Sequence, residues 1–415
     1  MSAVAKNVDL DLMQTAALGD AILPELDKLR ELDPIHWSEA SHAWLITRHA
    51  DVMRGFSGQL PLSNQRLPSL QLQAIPPAEW PQRIPNLVKY VPQWIVSIDP
   101  PAHTRQRKLM VKAFNKKVVE SVRPYVRQRV EYLMQHAEQQ RELEFVEGIA
   151  RQLPGAVILR LMGLSEEYIP NLKGWANSFQ AGLSSARPQP EWLELAERAM
   201  VEMNEVFIKA IEERRREPRE DLITELLHAT EEGESLSLDE MVAALSLLLV
   251  AGHDTTHNSM TLGVLALHRK PGAWNHMRAH PERMLESVNE LMRISAMSAA
   301  QARVSTQDFQ WHDKLIKRGD IVFLMQAAGN RDPRVYSHPN ELHFGQDNTR
   351  DLTFAPGLHH CVGHLLAKMQ LTEFFSALVQ RFDRAEVLDD VLEFQPQIVF
   401  RGLYQLNVRF HPRAQ

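Results

Sequence analysis

Cys361 is the only cysteine in the chain and lies in the segment FAPGLHHCVG, residues 354–363. A helical pattern begins close to it, and the amides and dipole of a helix N-terminus favour a thiolate, the metal-binding form, over a thiol. Gly357 and Gly363 would let a flat ligand approach the backbone closely. A lone cysteine is more commonly buried and inert, and the local residues by themselves favour that interpretation.

A second group with possible chemistry is the acid–hydroxyl pair Asp254 and Thr255, in the segment AGHDTT at residues 251–256. The segment lies inside a long apolar pattern, where a carboxyl and a hydroxyl cost free energy unless they serve a purpose. The pair could transfer protons. Alternatively, Thr255 bonds a carbonyl one turn earlier and bends the helix. His253 and His257 flank the pair without an HExxH pattern, and we assign them no chemical role.

Two charged pairs have helical spacing. Glu290 and Arg293 are three residues apart and share a helix face, as routine surface ion pairs do. His103 and Arg107, in DPPAHTRQR, are four apart and also face the same way. Taken alone, the first pattern indicates an exposed ion pair and the second a solvated basic turn.

The elements that must position these residues are predicted to be mainly α-helical, with small β-sheets. A capping box at Ser237 and Glu240 begins a helix that runs to about His268, roughly 45 Å at 1.5 Å per residue. Hydrophobic periodicity predicts a helical core over residues 102–294 and 361–382, with separate helices at 103–114, 117–139, 149–162, 191–216 and 281–294. β-Rich parts are expected near 34–48, 302–325 and 395–410, and residues 60–96 are expected to form a long irregular loop.

Composition limits the class of protein. The 415 residues carry 46 Lys and Arg against 52 Asp and Glu, a formal charge of -6, which disfavours a nucleic-acid binder. One cysteine excludes an internal disulfide or a multi-cysteine metal site and suits a reducing cytoplasm. The start of the chain has no secretory pattern, and the apolar stretch at 241–252 is too short to span a bilayer. We therefore expect a cytoplasmic protein without a membrane anchor, forming one domain over residues 1–415.

Considered together, these segments resemble the cytochrome P450 superfamily over nearly the whole chain. Its haem-binding signature, Phe-x-x-Gly-x-[His/Arg]-x-Cys-x-Gly, is matched at every fixed position by Phe354, Gly357, His359, Cys361 and Gly363. Ala355 replaces a glycine that is usual there. The motif [Ala/Gly]-Gly-x-[Asp/Glu]-Thr matches Ala251, Gly252, Asp254 and Thr255, and Glu290 and Arg293 match the family's Glu-x-x-Arg pair.

The resemblance implies the cytochrome P450 fold, with the long central helix over a haem b group. Cys361 would be the axial ligand of the haem iron, and its thiolate would favour O–O cleavage. Asp254 and Thr255 would relay protons, and Gly252 would leave room for dioxygen. The haem propionates would meet His103, Arg107, Arg303 and His359. Glu290 and Arg293 would form a structural ion pair, with His343 where many members place a third, arginine partner.

The resemblance also suggests what binds. Leu247, Val250, Ala251, Ala299, Val399 and Phe400 would line an apolar pocket over the haem, with residues 60–96 and 179–192 as its lid. Apolar lining indicates a hydrophobic small-molecule substrate; terpenoids, steroids, fatty acids and polyketide products all fit. Between Asp99 and Glu120 the chain has no acidic residue but six basic ones: Arg105, Arg107, Lys108, Lys112, Lys116 and Lys117. This basic run is either a solvated face or the docking surface of an acidic ferredoxin or flavodoxin.

The function that the resemblance implies is a soluble, bacterial-type haem-thiolate monooxygenase, expected to be a monomer. It would take electrons from a ferredoxin or flavodoxin with its reductase and insert one oxygen atom of O2 into a C–H or C=C bond. Three alternatives are a peroxide-driven peroxygenase, against which the intact Asp254–Thr255 pair argues, a haem-thiolate binding protein or gas sensor, and a helical scaffold without cofactor.

Overall fold

The computed structural model describes residues 10–12, 19–65, 67–184 and 188–413. The prediction for the start of the chain falls mostly on residues 1–9, and part of the predicted lid falls on residues 66 and 185–187. These residues lie outside the described part.

Seventeen α-helices occur in the described part, and 57% of the structure is helical, as the sequence predicts. The first nine are α1 (Ile22–Leu32), α2 (His49–Phe56), α3 (Leu67–Gln71), α4 (Trp80–Arg83), α5 (Pro85–Tyr90), α6 (Ala102–Ala113), α7 (Lys116–Ser121), α8 (Arg123–Gln140) and α9 (Gln152–Met162). The others are α10 (Ile169–Phe179), α11 (Pro190–Arg216), α12 (Leu222–His228), α13 (Leu238–Arg269), α14 (Ala273–Ala279), α15 (Met284–Ser295), α16 (Gln326–Gly329) and α17 (His364–Arg381).

Ten short strands form three small sheets. They are β1 (Ile35–Ser38), β2 (Ala43–Ile46), β3 (Leu62–Ser63), β4 (Glu142–Glu144), β5 (Gln301–Ser305), β6 (Phe309–Trp311), β7 (Lys314–Ile316), β8 (Ile321–Leu324), β9 (Phe382–Val387) and β10 (Asn407–Pro412). The largest sheet has the order β1-β2-β8-β5-β3, the second β4-β10-β9 and the third β6-β7. Only the β2–β8 pairing is parallel among the described pairs.

Helix α13 is the central element, and it agrees with the sequence prediction. The Ser237 side chain accepts a hydrogen bond from the Glu240 amide at 3.2 Å, while the Glu240 carboxylate accepts one from the Ser237 amide at 2.8 Å. This reciprocal cap satisfies amide groups that the first helical turn leaves without partners. Over its 32 residues α13 packs against α9, α11, α15 and α17, which explains why most of its faces are apolar and buried.

Three local predictions need correction. Residues 60–96 are not irregular, because Leu72, Ile75, Ile84 and Leu87 are buried and fold the segment into β3 and three short helices. The helix predicted at 117–139 is two helices, since Pro124, which has no amide hydrogen, starts a new helix after Val122. The helix predicted from residue 149 begins at Gln152, after a π-helical turn at Val146–Ala150.

Candidate active site

The cysteine loop precedes α17. Cys361 lies three residues before the helix begins, and its amide donates to the Phe354 carbonyl at 2.9 Å, which closes the loop. Gly357 has φ +103°, and a Cβ placed there would lie 2.1 Å from the carbonyl oxygen of Phe56. No residue with a side chain fits this approach, so the fold of the loop requires that glycine.

Ala355 occupies the position where the family usually has glycine. Its φ is +51°, in the left-handed region that costs an L-residue about 1–2 kcal/mol. The backbone therefore explains why glycine is usual there, and this chain tolerates alanine in the same conformation.

The charge state of Cys361 differs from the expectation based on its place before a helix. Burial raises the pKa of the thiol, and this outweighs the Gly363 amide, the Arg107 guanidinium and the His364 amide, which all lower it. A bound cation would reverse the balance, because a thiol that coordinates a metal is deprotonated. Arg107 reaches this loop directly, donating to the His360 carbonyl at 2.5 Å.

Four side chains predicted to meet propionates lie around the cysteine loop. The ring centroids of His103 and His359 are 4.2 Å apart, and Asn64 lies 3.2 Å from Nε2 of His359. Arg303 is buried and lies against the Phe56 ring. Burial, with the charges of Arg303, His103 and Arg107 added, lowers the pKa of His359 to about 3. The fold thus brings these four side chains together from three distant parts of the chain, because His103 and Arg107 share α6.

These four groups fit the anionic edge of a haem. Both ring nitrogens of His103 are buried without a hydrogen-bond partner, and none of the four side chains forms an ion pair within the described residues. Burial lowers the pKa of Arg303 to about 10, opposed by Asp99, so the guanidinium stays charged at neutral pH. Two guanidinium groups without a carboxylate partner, beside a buried histidine without a hydrogen-bond partner, suit two carboxylates. The donor set and the single thiol of the chain therefore fit haem, with Cys361 able to hold its iron.

The central turn of α13 is more exposed than the turns on either side of it. Ala251 is exposed and Thr255 half-buried, although the residues on either side are mostly buried. The Thr255 hydroxyl donates to the Ala251 carbonyl at 2.7 Å, the bond expected of a purely structural threonine in a helix. A Cβ at Gly252 would lie 3.5 Å from Ile158 of α9, so Gly252 faces that helix. Ala251 and Thr255 share the open face instead.

Asp254 lies beside two imidazoles. One of its carboxylate oxygens is 4.0 Å from Nε2 of His253 and 3.9 Å from Nδ1 of His257. Burial raises the pKa of Asp254 to about 6, with the charge of Arg151 opposing it. Burial also lowers the pKa of His253 to about 3 and that of His257 well below its usual value. At neutral pH both imidazoles are therefore uncharged, and Asp254 gives up its proton near physiological pH.

Glu290 and Arg293 form an ion pair in the interior, with side chains 1% and 0% exposed and an N–O distance of 2.7 Å. Arg293 also donates to the backbone carbonyls of residues 330, 338, 339 and 341. The pair therefore ties α15 to the segment that leads to the cysteine loop, as a structural role requires.

The His343 side chain does not take the position of the family's third, arginine partner. It is the His343 amide that donates to Glu290, at 2.8 Å, while the His343 ring stacks on His338 with centroids 3.9 Å apart. Amide groups of Gln346 and Asn348 complete the shell of Glu290. A backbone donor takes the place of the side chain because the chain turns next to the carboxylate, which sequence spacing does not reveal.

The residues predicted to line the pocket fall into two groups. Leu247, Val250 and Ala251 lie on one side of α13, at helical spacing. Ala299 and Val399 meet through a backbone hydrogen bond of 2.9 Å, and Phe400 pairs with Ser298 in an isolated bridge. The two segments predicted to form the lid are in contact, since Gln71 donates to the Leu183 carbonyl at 3.2 Å.

Three of the six basic residues on α6 and α7 form ion pairs. Arg105 pairs with Glu240, while Lys108 and Lys112 both pair with Glu231, Lys108 at 3.3 Å. Arg107 is turned inward. Lys116 and Lys117 are exposed and form no ion pair within the described ranges. The surface charge available to a partner is therefore smaller than the sequence indicates.

Two residues near the site were not predicted. Asp99 accepts hydrogen bonds from the Ser63 hydroxyl at 2.5 Å and the Asn64 amide at 3.2 Å, which joins β3 to the start of α6. Its place at the head of DPPAH is the one signal that could have indicated it. Asn64, which contacts His359, carries no signal in the sequence because its partner is 295 residues away.

The fold and the cysteine loop define a haem-thiolate protein, and comparisons with known proteins agree. The family model for cytochrome P450 matches residues 88–401. The polyketide biosynthesis cytochrome P450 PksS of Bacillus subtilis (strain 168) is 31% identical over 394 residues, covering 92% of this chain and 94% of that protein. Its solved structure has a TM-score of 0.84 at 30% identity, covering 95% of this chain and 98% of that one.

Two further relatives are informative. Cytochrome P450 107B1 of Saccharopolyspora erythraea is 32% identical over 371 residues, covering 88% of this chain and 89% of that protein. A structure of P450BioI in complex with an acyl carrier protein ligated to hexadec-9Z-enoic acid has a TM-score of 0.85 at 25% identity, covering 96% of this chain and 100% of that one.

This chain therefore belongs to the cytochrome P450 family. It is a haem-dependent monooxygenase that uses O2 and a small-molecule substrate. Among the described helices none combines the length and apolar character needed to cross a bilayer.

Proposed function

We propose that this enzyme hydroxylates or epoxidises a hydrophobic small molecule, using haem b held by Cys361 and electrons from a separate redox protein. The observation that carries the proposal is the cluster of His103, Arg107, Arg303 and His359 around the cysteine loop, whose buried charges and donors suit two propionates. When bound by these residues, haem would supply the activation of O2, in which one oxygen atom enters the substrate and the other becomes water with two electrons from the redox protein and two protons.

Residues of the chain would provide the iron ligand and the groups that transfer protons. Cys361 provides the sulfur ligand, and Arg107 places a positive charge near it. Asp254 and Thr255 would hold and deliver protons; a group with a pKa of about 6 can both accept and release a proton near neutral pH. Thr255 would rotate away from the Ala251 carbonyl when it donates towards the substrate side.

Leu247, Val250, Ala299, Val399 and Phe400 would form the apolar wall that orients the substrate. The names of two relatives guide the choice of substrates. One relative acts in polyketide biosynthesis, and another was captured with an acyl chain on a carrier protein. Long-chain acyl groups, free and carrier-bound, and polyketide products are therefore the first compounds to screen, by the low-to-high-spin shift of the haem spectrum.

Thr255→Ala tests the proton-delivery role. The variant should still consume O2 and reductant but release most of the electrons as hydrogen peroxide, with product yield reduced by roughly 10²-fold or more. A gas sensor would bind ligands equally well in both proteins and form no product in either. Equal coupling of electrons to product in wild type and variant would contradict the proposed role.

Cys361→Ser tests the ligand. The freshly prepared ferrous carbonyl adduct of the wild type should show a thiolate-type Soret band, and the variant should lose it. A colourless, iron-free wild-type protein would overturn the haem proposal.

We place the redox partner, a ferredoxin or flavodoxin, on the surface that includes Lys116 and Lys117. Reversing Lys116 or Lys117 to Glu, one at a time, should slow reduction at low ionic strength, while the single reversal of Lys112, already paired with Glu231, should have a smaller effect. Reduction rates that ignore both salt and these reversals would contradict this docking surface. A monomeric state and a cytoplasmic location, compatible with the single cysteine, stay predictions.

A further inference from the structure

Behind the central turn of α13, three ligand-type side chains converge. Atoms of His253, Asp254 and His257 that can bind a metal all lie within 4.8 Å of one another. The sequence His-Asp-Thr-Thr-His places the two histidines four residues apart, on one helix face. The same spacing in HExxH segments presents two imidazoles to one metal ion, so the absence of the glutamate does not remove the chelating geometry.

The distances suit one small cation. Both imidazole nitrogens approach the same Asp254 oxygen, at 4.0 and 3.9 Å. A point equidistant from three atoms at these separations lies roughly 2.5 Å from each, and Zn²⁺ binds His nitrogen and carboxylate oxygen at about 2.0–2.2 Å. Small side-chain rotations close that difference. His257 would exchange its 3.3 Å contact with the His253 carbonyl, a long hydrogen bond, for the metal bond.

The surroundings favour a ligand over a closed protein network. Both histidines are buried, and the ring nitrogens that face Asp254 are Nε2 of His253 and Nδ1 of His257. Within the described residues the Asp254 carboxylate accepts no hydrogen bond. Its side chain is 18% exposed, so an ion can reach the carboxylate from solvent. Buried polar groups normally find partners, so a largely buried carboxylate that accepts no hydrogen bond requires an explanation.

We propose that His253, Asp254 and His257 form a binding site for a divalent transition-metal cation of the zinc type. Two neutral imidazoles and one carboxylate are the ligand set of open tetrahedral zinc sites, in which water takes the fourth position. If Asp254 delivers protons as proposed above, a bound cation occupies its carboxylate, prevents proton transfer and inhibits turnover. The metal site itself does not depend on that function.

Binding is tested on the haem-loaded, tag-free enzyme by isothermal titration with ZnCl2. We expect one tight site in the wild type, weakened by at least about tenfold in His257→Ala and in Asp254→Asn. The matched control is His280→Ala, which removes one histidine of another four-residue pair, His276–His280, on the surface at α14. This control should bind Zn²⁺ as the wild type does.

Three results would overturn the proposal: no tight site in the wild type, equal binding by the wild type and both site variants, or loss of binding in His280→Ala alone. Asn has nearly the same size and shape as Asp, so Asp254→Asn still tests the site if His257→Ala does not fold. Turnover is measured separately, with and without Zn²⁺. Inactivity without Zn²⁺ would refute the proposed function and leave the binding result intact, whereas activity unaffected by a saturated site would refute the inhibitory role.

Discussion

Replacing Gly357 with alanine should damage the cysteine loop far more than a turn glycine elsewhere. The new Cβ would lie 2.1 Å from the carbonyl oxygen of Phe56 and 2.9 Å from its carbonyl carbon. Both are backbone atoms, so no side-chain rotation relieves the collision. At φ +103° the backbone adds a further cost to any L-residue.

The magnitude follows from two contributions. A left-handed backbone costs an L-residue about 1–2 kcal/mol, and forcing packed backbone apart costs roughly 1–3 kcal/mol. We therefore expect Gly357→Ala to lower the free energy of unfolding by about 2–5 kcal/mol. Because whole domains are stable by only about 5–15 kcal/mol, the loss should be large, and haem content should fall with it.

Gly319→Ala is the matched control. Gly319 has φ +93°, but no atom lies within 4 Å of the position that a Cβ would take there, so only the backbone cost of about 1–2 kcal/mol applies. Unfolding is followed by circular dichroism in urea, and bound haem by absorbance. Equal losses in the two variants would show that the Phe56 collision is absent, and wild-type stability of Gly357→Ala would refute the loop conformation altogether.

Three further predictions concern stability. Glu290→Gln should lower the free energy of unfolding in urea by about 3–5 kcal/mol because it leaves a buried arginine without its counter-charge. The control Glu341→Gln breaks the exposed pair with Lys270 and should cost less than about 1 kcal/mol. Similar losses in the two variants would contradict the buried network. Gly174→Ala should stabilise α10 by about 0.5–1 kcal/mol, because no atom lies within 4 Å of the position of the new Cβ and alanine restricts the unfolded chain. Destabilisation would indicate a contact at this position. The pKa of Asp254 rises from 3.8 to about 6 on folding, so the stability of the wild type should fall as the pH rises from 4 to 6. Asp254→Asn, measured in EDTA, should remove that fall and be more stable than the wild type by up to about 3 kcal/mol at pH 7. Parallel pH profiles of the two proteins would refute the burial of this carboxyl.

Local sequence signals predicted the elements and the chemistry. The capping box fixed the start of α13, and helical periodicity located most of the long helices, because both depend on neighbours within one or two turns. The order of the motifs around Asp254, Glu290 and Cys361 was enough to indicate the family. Each motif is read from residues a few positions apart, so no knowledge of the fold is needed.

Tertiary structure decided which groups meet. His103, Arg303 and His359 come from widely separated segments, and the unpaired state of His103 is visible only when they are together. The basic run loses part of its charge because Glu231, from a loop more than a hundred residues away, pairs with Lys108 and Lys112. Burial likewise set the pKa of Asp254, which its position beside Thr255 does not reveal. Desolvation and long-range pairing depend on the path of the whole chain, and sequence spacing carries no information about either.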